Sequence, residues 1–469
     1  MSVITFGTDG WRARMAREFT FDNFGIVVQA IADLVHARDM ADRGVIVGYD
    51  ARFLSEQFAA EAANILAANG VRPLLTDRDT PTPAVAFAIT KRRTAGAIMI
   101  TASHNPPEYN GIKYIPEYAS PALPDITDRI EANVARIQAG EGSVKGLGEA
   151  QSNIETFDPK PEYLAQLRRL IDVDTIAKAG LAVCMDPLHA TARGYLDEFL
   201  MSAGCEVHAI HMQRDPLFGG SLPDPSAENL AELGKLVVET GAHLGVATDG
   251  DADRFGAVDA DGRYVTANQL ISIVFAHSIG RRFTAGAVGR TVATTHLLDA
   301  IAAKHGFGVH ERPVGFKFMG QLLRETDAVL AGEESGGMSI KGHVPEKDGI
   351  LADLLLIEAV AQDGKPVRQL LDDLEAEYGE FLTRRLDLHV PHEGKQALIE
   401  HVRDNPPAEV GGVAPAKLIE LDGLKVVFED GSWMLIRPSG TEPLIRCYVE
   451  AHSEARLQTL ADYAESLVA

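Results

Sequence analysis

The stretch Ala95–Ile100 (AGAIMI), running directly into Thr101–Pro106 (TASHNP), decides the fold class. Six small or apolar residues without polar alternation read as a strand buried on both faces, and such strands belong to mainly parallel sheets covered by helices. Upstream, Val45–Tyr49 is a β-branched run. Ser55–Asn69 has helical spacing, with Ser55 placed to cap it and Gly70 to end it. Val71–Thr76 is the next strand. Downstream, residues 140–161 (GEGSVKGLGEAQSNIETFDPKP) read as a linker. The alternation then restarts with a strand at Leu181–Met185, a helix at Thr191–Ala203 and strands at Glu206–Ile210 and Leu244–Ala247. A third round has strands at Ala287–Thr291 and Val329–Gly332, then a long amphipathic helix at Asp348–Gln362. After Tyr378 the pattern changes. Leu424–Glu429 and Trp433–Ile436 flank the hairpin turn Asp430–Gly431, Leu444–Glu450 is a further strand, and Glu454–Val468 is a terminal helix. The expected fold class is α/β: three similar α/β domains with mixed, mainly parallel sheets, plus a smaller α+β C-terminal domain with an antiparallel sheet, around a central cleft. The expected boundaries are 1–145, 155–258, 259–375 and 376–469.

Bulk composition narrows the function. The formal net charge of -23 argues against nucleic acid or an anionic membrane surface as partner, since both require a basic face. The three cysteines, Cys184, Cys205 and Cys447, are too far apart for a CxxC motif. Sparse cysteine, the absence of a long apolar run and an N-terminus without an apolar leader core point to a cytoplasmic protein. An anionic substrate would then need a local basic pocket of Arg and Lys beside glycines.

The loops supply that chemistry. Ser103 lies just beyond the carboxyl end of a buried strand, where open α/β sheets bind ligands, so its hydroxyl can act as a nucleophile or carry a phosphate. The alternative is a polar turn that only breaks the strand. Asp249, Asp251 and Asp253 in DGDADR also follow an apolar strand and can converge on a hard divalent cation. An EF-hand is excluded, because Arg254 and Ala260 stand where that loop needs Gly and Glu. In RPSGTEP, Arg437 offers a bidentate fork, and Ser439, Gly440 and Thr441 can complete an anion nest. In GEESGG, Glu333 and Ser335 suit vicinal sugar hydroxyls, with Lys317, His343 and Lys347 as nearby cations. Arg12 on FGTDGWR and Lys113 on NGIK can stabilise a transferring phosphoryl group, and a lysine of lowered pKa can also move a proton.

FGTDGWR, TASHNP, DGDADR, GEESGG and RPSGTEP stand in the order and spacing of the α-D-phosphohexomutase superfamily, which the whole chain resembles. The resemblance implies that Ser103 carries the phosphate and that Asp249, Asp251 and Asp253, with Ser103, hold Mg²⁺. It implies that Arg12, His104, Lys113 and Arg254 surround the transferring group. It implies that Glu333 and Ser335, with Lys317 and His343, meet the sugar, and that Arg437, Ser439, Gly440 and Thr441 grip the phosphate that does not react. The implied reaction interconverts hexose 1-phosphate and hexose 6-phosphate through a hexose 1,6-bisphosphate intermediate and activator, in a monomer or homodimer. One departure stands out: Gly337 occupies a position where some bacterial relatives have His, and His343 is the expected substitute. The GEESGG and GFKF stretches look closer to phosphoglucomutases, so glucose is the expected sugar. The alternatives are mannose or glucosamine phosphate with the same chemistry, a sugar phosphatase, and a non-catalytic sugar-phosphate binder.

Overall fold

The computed structural model describes residues 4–7, 10–150, 154–439 and 444–468. Its strands form four sheets. In the first, the order is Trp11–Arg14, Tyr109–Pro116, Gly96–Ile100, Val45–Tyr49, Pro73–Thr76 and Glu155–Phe157. The last four run parallel, and Tyr109–Pro116 and Trp11–Arg14 are antiparallel additions. The second sheet orders Tyr264–Val265, Phe255–Asp259, Leu244–Thr248, Ala182–Asp186 and Glu206–Ala209. The third orders Gly308–Arg312, Ala287–Thr291, Ala328–Gly332 and Met338–Ile340. The fourth, Leu382–His389, Leu444–Ala451, Trp433–Pro438, Leu424–Phe428 and Pro415–Ile419, is antiparallel throughout.

One motif recurs in the first three sheets. Two parallel strands are joined by a third parallel strand that turns back at once into an antiparallel neighbour. The returning loops are residues 101–108, 249–254 and 333–337. TASHNP, DGDADR and EESGG therefore occupy the same topological position in three successive units. The repeat lies in the topology, since the loop sequences share no pattern.

Several boundaries differ from the sequence expectation. Glu155–Phe157, inside the expected linker, pairs with Pro73–Thr76 and extends the first sheet. Tyr264–Val265 completes the second sheet, beyond residue 258. Leu54, with φ 62°, precedes the helix Ser55–Ala68, and the Ser55 hydroxyl donates to Asp50 Oδ1 instead of capping. Residues 191–195 form turns, and the helix there spans only Leu196–Ser202. The helix Gly349–Asp363 is not amphipathic: every residue from Gly349 to Val360 is buried. It runs through the apolar cluster that joins the first three units and also contains Phe87, Tyr163 and Phe275. Its polar members are partly compensated, as Glu358 pairs with Arg282 and His277.

The fourth domain has its own core around Leu424, Ile436, Cys447 and Leu460. It docks on the third through fully buried Lys425. The Lys425 ammonium donates to the Val292 carbonyl at 2.8 Å, lies 2.8 Å from His296 Nε2, and sits 3.9 Å from the Trp433 ring centre. Among the described residues, no helix is long and apolar enough to cross a membrane.

Candidate active site

Three recurrent loops place the reactive groups. Ser103 adopts a left-handed backbone, φ 50°, which costs a non-glycine residue roughly 1–2 kcal/mol. Its amide donates to Thr101 Oγ1 at 2.8 Å. Its hydroxyl donates to Asp249 Oδ2 at 2.8 Å, and His104 Nδ1 lies 3.4 Å away. Gly250 allows this approach, because a Cβ there would stand 2.5 Å from the Ser103 carbonyl oxygen. Burial, then the charges of Arg254, Arg12, Arg52 and Lys113, hold the His104 pKa well below the usual range, so its ring is neutral at neutral pH.

Asp249, Asp251 and Asp253 are completely buried, and one carboxylate oxygen from each falls within 4.8 Å of the others. Burial, then repulsion from Asp251 and Asp253, pushes the Asp249 pKa well above the usual carboxylate range. Burial also pushes Asp251 upward, but the Lys113 charge and hydrogen bond outweigh it and hold that carboxyl below its ordinary value. Lys113 Nζ lies 2.8 Å from Asp251 Oδ2 and 3.0 Å from Asp253 Oδ2, and Thr82 donates to Asp251 at 2.6 Å. Asp251 Oδ1 and Asp253 Oδ1 are buried and, among the described residues, accept no hydrogen bond. A divalent cation fits this set: the oxygens are hard, they converge, and two lack any other partner.

The GEESGG loop docks on the aspartate loop. The Phe255 amide donates to the Gly336 carbonyl at 3.0 Å, and the Gly349 amide to the Ala252 carbonyl at 3.1 Å. Glu333 is 4% exposed and accepts from the Gly315 amide at 2.7 Å, just before the helix Phe316–Glu325. Burial, then the neighbouring Glu334 charge, pushes the Glu333 carboxyl up to about 7. Ser335 is half-buried beside it. Lys317 leaves the first turn of the same helix, with its ammonium 5.4 Å from the Phe318 ring centre.

His343 does not join this group. Its side chain is fully buried, bonded to Asp348 Oδ2 at 2.8 Å and stacked on Phe87, where Tyr163 also donates to Asp348. A ring packed there cannot reach a sugar. Lys347 fills the space near Gly337 instead. A Cβ at 337 would stand 2.5 Å from Lys347 Cδ, and Lys347 Nζ is 3.1 Å from Asp253 Oδ2. The missing histidine side chain thus leaves room for a lysine stem.

The remaining cations come from both ends of the chain and from the aspartate loop. Arg12 donates to Asn105 Oδ1 at 3.0 Å, above the Ser103 loop, and Arg254 lies 3.8 Å from Asp224. Arg437 Nε donates to Asp422 Oδ2 at 2.8 Å. That same oxygen accepts from the Val314 amide, so the fourth domain reaches the segment that holds Glu333. Lys395, not singled out from sequence, donates to the Ser439 carbonyl at 2.7 Å. Gly440 and Thr441 lie outside the described residues.

Comparison with known proteins agrees over nearly the whole length. Models of phosphoglucomutase/phosphomannomutase match in four parts: α/β/α domain I over residues 3–141, domain II over 161–262, domain III over 266–378 and the C-terminal domain over 392–466. A phosphoglucomutase/phosphomannomutase of Thermococcus kodakarensis is 32% identical over 452 residues, covering 96% of this chain and 95% of that one. A phosphoglucosamine mutase of Salinispora arenicola is 33% identical over 475 residues, covering 97% and 96%. The crystal structure of a protein from Thermus thermophilus assigned as a phosphomannomutase superposes with a TM-score of 0.87. It is 32% identical, over 100% of this chain and 99% of that one.

Proposed function

The chain belongs to the phosphoglucomutase/phosphomannomutase family of α-D-phosphohexomutases, and within it we propose that the reaction runs through Ser103 on the 1- and 6-phosphates of mannose or glucosamine before those of glucose. The observation that carries the reading is the 2.8 Å contact between the Ser103 hydroxyl and Asp249, inside a buried trio of carboxylates. A plain turn-forming serine has no need of three buried aspartates, and a non-catalytic binder has no need of either.

In the proposed cycle, phosphorylated Ser103 loses its phosphoryl group to the free O6 of a hexose 1-phosphate. The P–O bond to Ser103 breaks as the bond to O6 forms, and a proton passes from O6 to the freed Ser103 oxygen, which gives it up again for O1 in the second transfer. The resulting 1,6-bisphosphate turns over in the cleft. Its C1 phosphoryl group then passes to Ser103, O1 takes up a proton, and hexose 6-phosphate is released. Phosphoryl transfer depends mainly on positioning and charge stabilisation. Asp249, Asp251 and Asp253 would hold Mg²⁺, which would neutralise charge on the phosphoryl oxygens. Arg12, Arg254, Lys113 and Lys347 add cationic groups around Ser103 and the aspartates. His104 stays neutral and can share a proton with the serine oxygen. Glu333 and Ser335 would meet the sugar hydroxyls, and Arg437 with the Ser439–Thr441 loop the distal phosphate. Because that loop belongs to a separate domain, rotation of the fourth domain would close the cleft on either pose.

The sugar preference rests on the relatives. One is named for both glucose and mannose, one for glucosamine and one for mannose alone, so mannose and glucosamine together outweigh the glucose-like appearance of GEESGG. The test is kcat/KM for mannose 1-phosphate, glucosamine 1-phosphate and glucose 1-phosphate, each with its matching bisphosphate and Mg²⁺. Glucose favoured tenfold over both others would overturn the preference. Steady release of inorganic phosphate without isomerisation would overturn the mutase reading in favour of a phosphatase.

A further inference from the structure

The Ser103 loop hangs from a residue that no motif assigned. Arg52, three residues beyond the strand Val45–Tyr49, has no solvent exposure. Its Nη2 donates to the carbonyls of Ser103 at 2.5 Å and Asn105 at 2.7 Å, and its Nη1 to those of Pro106 at 2.9 Å and Tyr109 at 3.1 Å. Its Nε faces Asp50 Oδ2 at 3.2 Å. Asp50 Oδ1 in turn accepts from the Arg52 amide at 3.0 Å and from Ser55 Oγ at 2.9 Å. From the second unit, the Phe218 ring covers the guanidinium with its centre 5.0 Å away.

Buried carbonyls need donors, and a loop with a left-handed residue at Ser103 does not supply them through regular pairing. One planar guanidinium supplies four, spread from the reactive serine to the start of the returning strand. A lysine presents its donors from a single point and cannot span that distance. The fork therefore fixes the loop's backbone as well as satisfying its carbonyls.

We infer that Arg52, oriented by Asp50 and covered by Phe218, is a positioning residue for phosphoryl transfer, setting the loop conformation that aims the Ser103 hydroxyl at the aspartates. The inference rests on the reading of Ser103 as phosphate carrier. A misplacement of about 1 Å in a reacting group can cost roughly 100-fold in rate.

The test uses the full chain with Mg²⁺ and ³²P-labelled hexose 1,6-bisphosphate, comparing parent, Arg52→Lys and Phe218→Leu. The readouts are labelling rate at Ser103, kcat per labelled site, KM and Tm. For folded Arg52→Lys we expect labelling and kcat to fall about 100-fold while KM stays within about threefold. For Phe218→Leu we expect kcat to fall about fivefold at unchanged KM. A merely structural arginine would lower Tm and leave kcat per labelled site untouched, and that result overturns the inference. If Arg52→Lys does not fold, Phe218→Leu decides: a parental kcat per site overturns the inference, and the fivefold loss supports it. A parent that takes no label at Ser103 overturns the phosphoserine reading, and the positioning role with it. A labelled parent alongside an equally fast Arg52→Lys overturns the positioning role alone.

Discussion

Ser103 Oγ lies 2.8 Å from Asp249 Oδ2 across 146 positions of sequence, each in the equivalent returning loop of its own α/β unit. The pairing arises because both loops return from the carboxyl end of an equivalent buried strand. It also makes the proposed reactive centre a property of how two units dock, since neither loop contains both groups.

Asp251 tests the metal reading apart from the serine. Among the described residues its Oδ1 has no hydrogen-bond partner, while its Oδ2 takes Lys113 and Thr82. Asp251→Asn is expected to lower kcat by about 100-fold or more and to weaken its Mg²⁺ dependence, as removal of an electrostatic partner to transferring charge does. A Mg²⁺ titration of kcat checks this. Parental activity at low Mg²⁺ would exclude the trio as the metal site.

Gly337 and Lys347 compete for one space. A Cβ at 337 falls 2.5 Å from Lys347 Cδ, the flexible part of that side chain, so a larger residue displaces the lysine from Asp253. Gly337→Val is expected to cost about 1–3 kcal/mol of stability by overpacking, and to lower kcat about tenfold. Thermal melts and kcat measured on the same samples separate the two effects. Unchanged kcat in a destabilised protein would leave Lys347 with a packing role only.

Arg437 is held by Asp422, which also anchors the Val314 amide. Arg437→Ala should raise KM for the sugar phosphate about 30-fold and change kcat by less than threefold, since a distal grip contributes equally to substrate and transition state. A normal KM would remove Arg437 from the phosphate site.

The sequence exposes these loops because each is a short polar run directly after an apolar strand, where chemistry has few other places to sit. Ser103, the aspartates and Glu333 are legible on those grounds. Other features depend on packing that no local pattern carries. Asp353 and Glu358 belong to a helix that reads as amphipathic, yet that helix is buried on all sides from Gly349 to Val360, and Glu358 is balanced by Arg282 from elsewhere in the chain. His343 looks like an available ring but is spent on Asp348. Lys347 is legible as a cation near the GEESGG loop, but its place beside Gly337 and against Asp253 depends on packing. Arg52, two residues after Asp50, reads as an ordinary turn cation until its four carbonyl partners are in place.

Glu333 gives a pH dependence with a definite sign. Its carboxyl is raised from 4.5 to about 7, first by burial and then by Glu334, so the folded protein holds a proton that the unfolded chain releases between those values. Stability from this group is fully present below about pH 4.5 and is lost as pH rises through about 7, a change on the order of 3 kcal/mol for a shift of this size. Glu333→Gln carries no titrating proton there. The difference in stability between parent and variant should therefore drift in the variant's favour from pH 5 to pH 8, by up to about 3 kcal/mol. Urea unfolding of both proteins across that range measures it. A constant difference would mean that Glu333 titrates normally, and its buried place against the Gly315 amide would then need another account. The same variant bears on substrate binding. If the ionised carboxylate accepts from sugar hydroxyls, parental KM falls as pH rises through about 7, and Glu333→Gln loses that change while keeping a raised KM throughout.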